Sequence, residues 1–227
     1  NKTPMKPDTI FEVMSMTKPV TSTAIMMLME EGRLSLNAPV ERYLPEFANQ
    51  WFVDARIKDS KTGMDREMAI KRASRPITIR DLMTHTSGMR EMPPAFMMNI
   101  FRRWDRTLAE AVHYYSQQPL DFEPGTRWQY SNTGMATLGR IVEVVSGMPY
   151  EKFVETRIFA PLGMTDSFFF VPENKKDRIA AVYEIRDGKM VNLGDGIYRK
   201  DSKYACPECG LFSTAADMAR FLQLFLN

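Results

Sequence analysis

The chain has 227 residues, of which 44% are hydrophobic, 26% charged and 11% aromatic, so it can bury a sizeable core and is neither disordered nor low-complexity. Thirty Lys plus Arg against 28 Asp plus Glu leave a net charge of +2, which gives no electrostatic ground for nucleic acid or an anionic membrane as partner. The longest aliphatic or thioether run, Ala24 to Met29, falls far short of the ~20 residues of a membrane span, and two Cys cannot make a disulfide framework.

The chain opens Asn1-Lys2-Thr3-Pro4 with neither an initiator Met nor an export signal, and it stops at Asn227 inside an amphipathic pattern. The expectation is a single partial domain over residues 1–227, an internal piece of a longer protein. A first helix should run from near Ser15 to Glu31, buried on most sides at Ala24 to Met29 and closed by Gly32. The segment Phe52 to Ile79 carries Val53, Ile57, Met68, Ile70 and Ile77 around Lys61-Thr62-Gly63, which suggests a solvated surface hairpin. Three helix starts share one device, a Thr with an acid three residues on: Thr78 with Asp81, Thr107 with Glu110, and Thr214 with Asp217. Core-facing stripes follow at Leu108, Ala111, Val112 and Tyr115, at Leu138, Ile141, Val142 and Val145, and at Met218, Phe221, Leu222 and Phe225. Gly147 stops the second of these helices, Pro149 opens another through Ile158, and Pro161 should end it. A weaker hairpin is expected at Ala181 to Val191 around Asp187-Gly188.

Chemistry concentrates in two short motifs. Ser15-Met16-Thr17-Lys18 opens the first helix, and a spacing of three puts a hydroxyl and an amine on one face, a nucleophile beside its base. A Ser at a helix start also sits in the positive end of the dipole, which favours an alkoxide and then an oxyanion. With 12 Ser and 12 Lys, chance alone supplies roughly 0.6 such matches, so the alternative is a plain N-cap beside a solvated Lys. Tyr130-Ser131-Asn132 follows the Pro124-Gly125 turn; if extended, it presents a phenol that can relay a proton together with an amide that can orient a carbonyl. Its bland alternative is a buried aromatic before an Asn helix cap. If both motifs serve one site, the Tyr130 hydroxyl and Lys18 amine must come within hydrogen-bond reach of Ser15 Oγ.

The two His are weaker candidates. His85, in Thr84-His85-Thr86-Ser87-Gly88, reads as a hydrogen-bonded scaffold residue rather than a triad member, and His113 as structural or exposed. Cys206-Pro207-Glu208-Cys209 reads first as two incidental thiols and second as a labile disulfide, because zinc needs four ligands and no second Cys or His pair has suitable spacing.

Phe11 to Glu46, with Ser15-Met16-Thr17-Lys18-Pro19, Glu30-Glu31-Gly32-Arg33-Leu34-Ser35-Leu36 and Tyr43-Leu44-Pro45-Glu46, resembles the serine β-lactamase-related family of class C β-lactamases, D-alanyl-D-alanine carboxypeptidases and family VIII esterases. The likeness continues in order through Ile79 to Gly88, Phe122-Glu123-Pro124-Gly125, Tyr130-Ser131-Asn132, Pro161-Leu162-Gly163-Met164 and Gly210 to Asp217. The resemblance implies an α/β (α+β) β-lactamase/transpeptidase-like fold, with this piece mostly helical. It makes Ser15 the acylated nucleophile, Lys18 its base partner, Tyr130 the proton relay and Asn132 a substrate-orienting amide, and it puts His85 in a structural signature loop. It implies acyl-enzyme hydrolysis of a small-molecule ester, amide or β-lactam-like substrate with no metal or organic cofactor, in a periplasmic or secreted setting. The family's third motif, a Gly-rich strand carrying a second oxyanion amide, is expected beyond the last helix. Where relatives commonly have small residues and Gly, this chain has Cys206 to Cys209. The rival readings are a non-catalytic module that binds peptidoglycan-like peptides or a protein partner, and a zinc-binding interaction module built on the two Cys.

Overall fold

Residues 4–58, 61, 65–93, 106–194 and 202–226 are described by a computed structural model. In chain order the elements are β1 (Phe11–Glu12), α1 (Thr17–Glu30), β2 (Trp51–Lys58), β3 (Asp65–Arg72), α2 (Ile79–Met83), α3 (Leu108–Ser116), α4 (Asn132–Ser146), α5 (Tyr150–Val154), α6 (Ala160–Leu162), β4 (Tyr183–Arg186), β5 (Lys189–Asn192), β6 (Phe212–Ser213) and α7 (Ala215–Gln223).

Reciprocal caps start two of the helices as the spacing predicts. Asp81 N donates to Thr78 Oγ1 at 3.1 Å and Thr78 N to Asp81 Oδ2 at 2.9 Å, and the same exchange joins Thr107 and Glu110 at the start of α3. At α7 only half of the device forms: Asp217 N donates to Thr214 Oγ1, but the Asp217 carboxylate turns away to accept from Asp166 N and Ser167 Oγ. A side chain that could cap its own helix instead ties down a loop about 50 residues earlier.

α1 and α4 pack at the centre, Val20, Ala24, Ile25 and Leu28 with Leu138, Ile141 and Val142 all fully buried in one core. Gly147 ends α4 in the left-handed conformation, φ 74°. The next helix departs from expectation. Pro161 lies inside it rather than ending it: α5 runs into a π-helical stretch, Glu155–Phe159, and on into α6, which stops at Gly163, φ 64°. The widened turn, with Ala160 N bonded to Glu155 O, shifts the carbonyl register, and Pro161 then falls in the opening turn of α6, where its missing N–H is not required. The α7 stripe is also only half buried. Met218 and Phe221 enter the core, whereas Leu222 and Phe225 stay exposed, Phe225 on the lip of an open groove shared with Pro19, Met26, Ile158 and Leu162.

The described strands form three two-stranded antiparallel ladders. β2 and β3 make a hairpin from Trp51 to Arg72, with residues 59–60 and 62–64 outside the described residues. The expected segment to Ile79 does not all belong to it, because Ile77 and Ile79 are buried in the core. β4 and β5 make the second hairpin around Asp187 and Gly188, both at positive φ. The third ladder matters most for the site. β1 pairs with β6 (Phe11 with Ser213, Glu12 with Phe212), Val13 N donates to Leu211 O at 3.0 Å, and Leu211 N donates to Thr17 Oγ1 at 3.1 Å. These bonds lay the turn before α1 against the turn Cys206–Gly210.

That second turn is seated on α4 through an absent side chain. A Cβ on Gly139 would stand 2.2 Å from Pro207 Cγ. Gly to Ala inside a helix ordinarily stabilises by about 1 kcal/mol, but overpacking costs about 1–3 kcal/mol. Gly139→Ala should therefore lower the thermal midpoint, and a rise would show that Pro207 is free to move.

Candidate active site

Ser15 stands at an exposed corner made by a strained residue. Met14 has φ 49°, in the left-handed region that costs a non-glycine residue energy, and the chain then makes one 3-10 turn, Met14–Met16, into α1. Ser15 is thus not the N-cap of a regular helix, and no side-chain cap bond is made there. Thr17 Oγ1 fixes the corner by donating to Met14 O at 2.7 Å.

Lys18, one turn on, is 7% exposed. Its ammonium donates to Ser15 Oγ at 3.1 Å and to the Glu208 carbonyl at 2.7 Å, and lies 4.7 Å from the centroid of the Tyr130 ring. These partners are a hydroxyl, a carbonyl and an aromatic face, an environment that stabilises a cation less than a carboxylate does. The Tyr130 hydroxyl donates to Ser15 Oγ at 2.8 Å across 115 residues of sequence. Two donors therefore converge on one solvent-facing serine oxygen, an arrangement that favours negative charge on it. The solvated-Lys alternative is excluded by the burial of Lys18.

Asn132 is placed differently from the reading of Tyr130-Ser131-Asn132 as an extended stretch. Ser131 is the helix cap, its Oγ accepting from Gly134 N at 2.9 Å, and Asn132 is already the first residue of α4. Its amide donates to Met92 Sδ at 3.3 Å and its backbone N–H to Glu91 O at 3.0 Å. Tyr130 and Asn132 straddle the cap, one on each side.

His85 holds this stretch in place. At φ 60° it accepts the Ser131 N–H on Nδ1 at 3.1 Å, its carbonyl accepts from Gln129 N, and its ring lies 4.8 Å from that of Tyr130. Burial first, and then the Lys18 charge, hold its pKa below the ordinary 6.5, so the imidazole is neutral at pH 7. Because the folded-state value is depressed, the contribution of His85 is fully present above pH 6.5 and is lost as pH falls through the folded value. His85→Asn keeps an acceptor and tolerates positive φ. Thermal melts at pH 7 and 5 should show a smaller acid-induced drop in this variant than in the wild type, and equal drops would mean that His85 does not titrate with folding.

The residue that the motifs did not reveal is Glu208. Its carbonyl orients Lys18, and the neighbouring Pro207 carbonyl accepts from Thr21 Oγ1 at 2.7 Å, so the Cys206–Gly210 turn grips α1 twice. Backbone carbonyls carry no sequence signature; the only hint was the departure of Cys206 to Cys209 from the family's small residues. The Glu208 side chain is fully buried, and burial pushes its carboxyl up to about 7.

With this geometry, the comparisons place the chain. The Beta-lactamase family model matches residues 1–227, and the chain belongs to that family. It is 32% identical to esterase EstB of Burkholderia gladioli over 86% of this chain and 46% of that protein, and 31% identical to the lovastatin esterase of Penicillium rubens over 99% and 57%. Among solved structures it resembles the octameric penicillin-binding protein homologue from Pyrococcus abyssi (TM-score 0.72, 31% identity, 98% of this chain and 46% of that one). It also resembles a class C β-lactamase from Rhodobacter sphaeroides (TM-score 0.69, 28% identity, 99% and 54%). The fold is β-lactamase/transpeptidase-like and mostly helical here, and the chain spans about half the length of the curated relatives it matches. Among the described residues, no helix is long and apolar enough to cross a membrane.

Proposed function

We propose that the protein is a serine hydrolase that works through an acyl-enzyme and takes carboxylic esters in preference to β-lactams or D-peptides. The observation that carries this reading is the meeting of Lys18 Nζ and Tyr130 OH on Ser15 Oγ at an exposed corner. Ser15 Oγ attacks the carbonyl carbon while Lys18 serves as the base for the hydroxyl proton. The oxyanion is met by the Ser15 amide at the helix start, and Tyr130 passes a proton to the departing alkoxide. Water then attacks the acyl carbonyl by the reverse proton path and frees the acid.

Esters are favoured by the rim. Met14 and Met16 flank the nucleophile at 47% exposure each, Trp128 meets the His85 ring edge-on at 66% exposure, and Met92 contacts Asn132. An apolar, polarizable rim suits an aliphatic or aromatic acyl or alkoxy group more than a charged peptide. The test is a panel of p-nitrophenyl esters of rising acyl length, a cephalosporin and a D-Ala-D-Ala peptide, run on the full-length protein. Ester turnover that improves with acyl length is expected. Binding of a peptidoglycan-like peptide with no turnover of anything would replace this reading with that of a non-catalytic module.

A further inference from the structure

The turn that orients Lys18 also gathers three metal-binding side chains. One ligand atom from each of Cys206, Glu208 and Cys209 lies within 4.8 Å of the other two. Both thiols are free, Cys206 buried and Cys209 half-buried, so the cluster meets solvent on the Cys209 side. Glu208 is 0% exposed; its Oε1 accepts from the Tyr204 hydroxyl at 2.9 Å, while Oε2 is fully buried with no partner of full hydrogen-bond geometry, and the carboxyl interacts with the Cys206 thiol. A buried carboxyl oxygen that meets no more than a weak thiol donor costs free energy when ionised unless something positive meets it. The backbone is fixed as well. Cys209 N and Gly210 N both donate to Cys206 O, at 3.1 and 2.7 Å, and the turn is held by Thr21, Lys18 and the seat on Gly139.

We propose that Cys206, Glu208 and Cys209 bind one thiophilic divalent cation of the zinc type, with water from the Cys209 side as the fourth ligand. Two sulfurs and one carboxylate oxygen are the donor set that such an ion takes in tetrahedral geometry, and hard cations such as magnesium prefer all-oxygen sets. On binding, each thiol, and the Glu208 carboxyl where it is protonated, releases its proton to solvent, and each sulfur donates an electron pair to the ion; no oxidant or reductant enters. The ion takes no part in acyl transfer. It locks the turn whose Pro207 and Glu208 carbonyls hold Thr21 and Lys18, and so acts on the base only through position.

The experiment is a Co²⁺ titration of the reduced protein, followed by Zn²⁺ competition. Expected are one equivalent of Co²⁺ with a thiolate-to-cobalt charge-transfer band and tetrahedral-strength visible bands, all removed by one equivalent of Zn²⁺. Cys209→Ser, at the half-buried position least able to disturb folding, should lose the charge-transfer intensity of one sulfur, and Glu208→Gln should weaken binding by roughly tenfold or more. Absence of the band while two reduced thiols are counted in the unfolded protein would overturn the proposal. So would a band unchanged in Cys209→Ser, or a protein in which Cys206 and Cys209 are joined as a disulfide and, once reduced, still take up no cobalt.

Discussion

Ser15→Ala should abolish covalent labelling by a serine-directed phosphonate and lower ester turnover by about 10⁴-fold or more, the scale seen when a nucleophile is removed and only binding and oxyanion stabilisation remain. The expectation follows from two hydrogen bonds. An isolated serine hydroxyl is a poor nucleophile at neutral pH, and Ser15 Oγ has a phenol at 2.8 Å and an amine at 3.1 Å to manage its proton. The variant should fold normally, since Ser15 is exposed and makes no cap bond. Intact-mass analysis after phosphonate treatment, followed by peptide mapping, checks the site. A labelled Ser15→Ala protein would move the nucleophile elsewhere.

Lys18→Arg should reduce kcat by about 10²–10⁴-fold, the usual share of a general base, with a smaller change in KM. Arginine keeps the charge but does not become neutral in a protein, so it can donate to Ser15 yet cannot accept its proton. The substitution separates two roles that the structure leaves joined, since the ammonium both contacts the nucleophile and fastens α1 to the Glu208 carbonyl. If only the fastening mattered, Arg would preserve it and activity would survive. Single-turnover acylation rates for the variant, compared with its thermal midpoint, distinguish the outcomes: a slow rate with an unchanged midpoint identifies the base, and a near-normal rate removes Lys18 from that role.

What could be read from the sequence was local. The reciprocal caps at Thr78 and Thr107, the stop at Gly147 and the Asp187-Gly188 turn are decided within four or five residues, and each stands where its spacing put it. Ser15 and Lys18 share a face for the same reason. Their meeting with Tyr130 is different, because Ser-x-x-Lys does not rise above chance alone and Tyr130-Ser131-Asn132 has its own bland alternative, so the expectation rested on the order of many motifs along the chain. The misreadings all involve a distant partner or a changed register. Pro161 survives inside a helix because a π turn precedes it, Asp217 leaves its own cap for Asp166 and Ser167, Leu222 stays exposed and Phe225 lines a groove that the described residues leave open. Glu208 was missed because its contribution to Lys18 is a backbone carbonyl 190 residues away, and no residue type announces that.

The two-residue ladder between β1 and β6 has a consequence for how activity comes into being. The carbonyl that aims Lys18 and the amide that ties Thr17 lie 190 and 194 residues further along the chain than the side chains they meet. Closing so long a loop must precede any gain from the contacts it brings, so this part of the fold forms late. Until Glu208 and Leu211 are in place, Lys18 lacks its carbonyl partner and Thr17 its amide partner. A chain cut before Glu208 therefore carries the whole Ser-x-x-Lys motif without the carbonyl that orients Lys18.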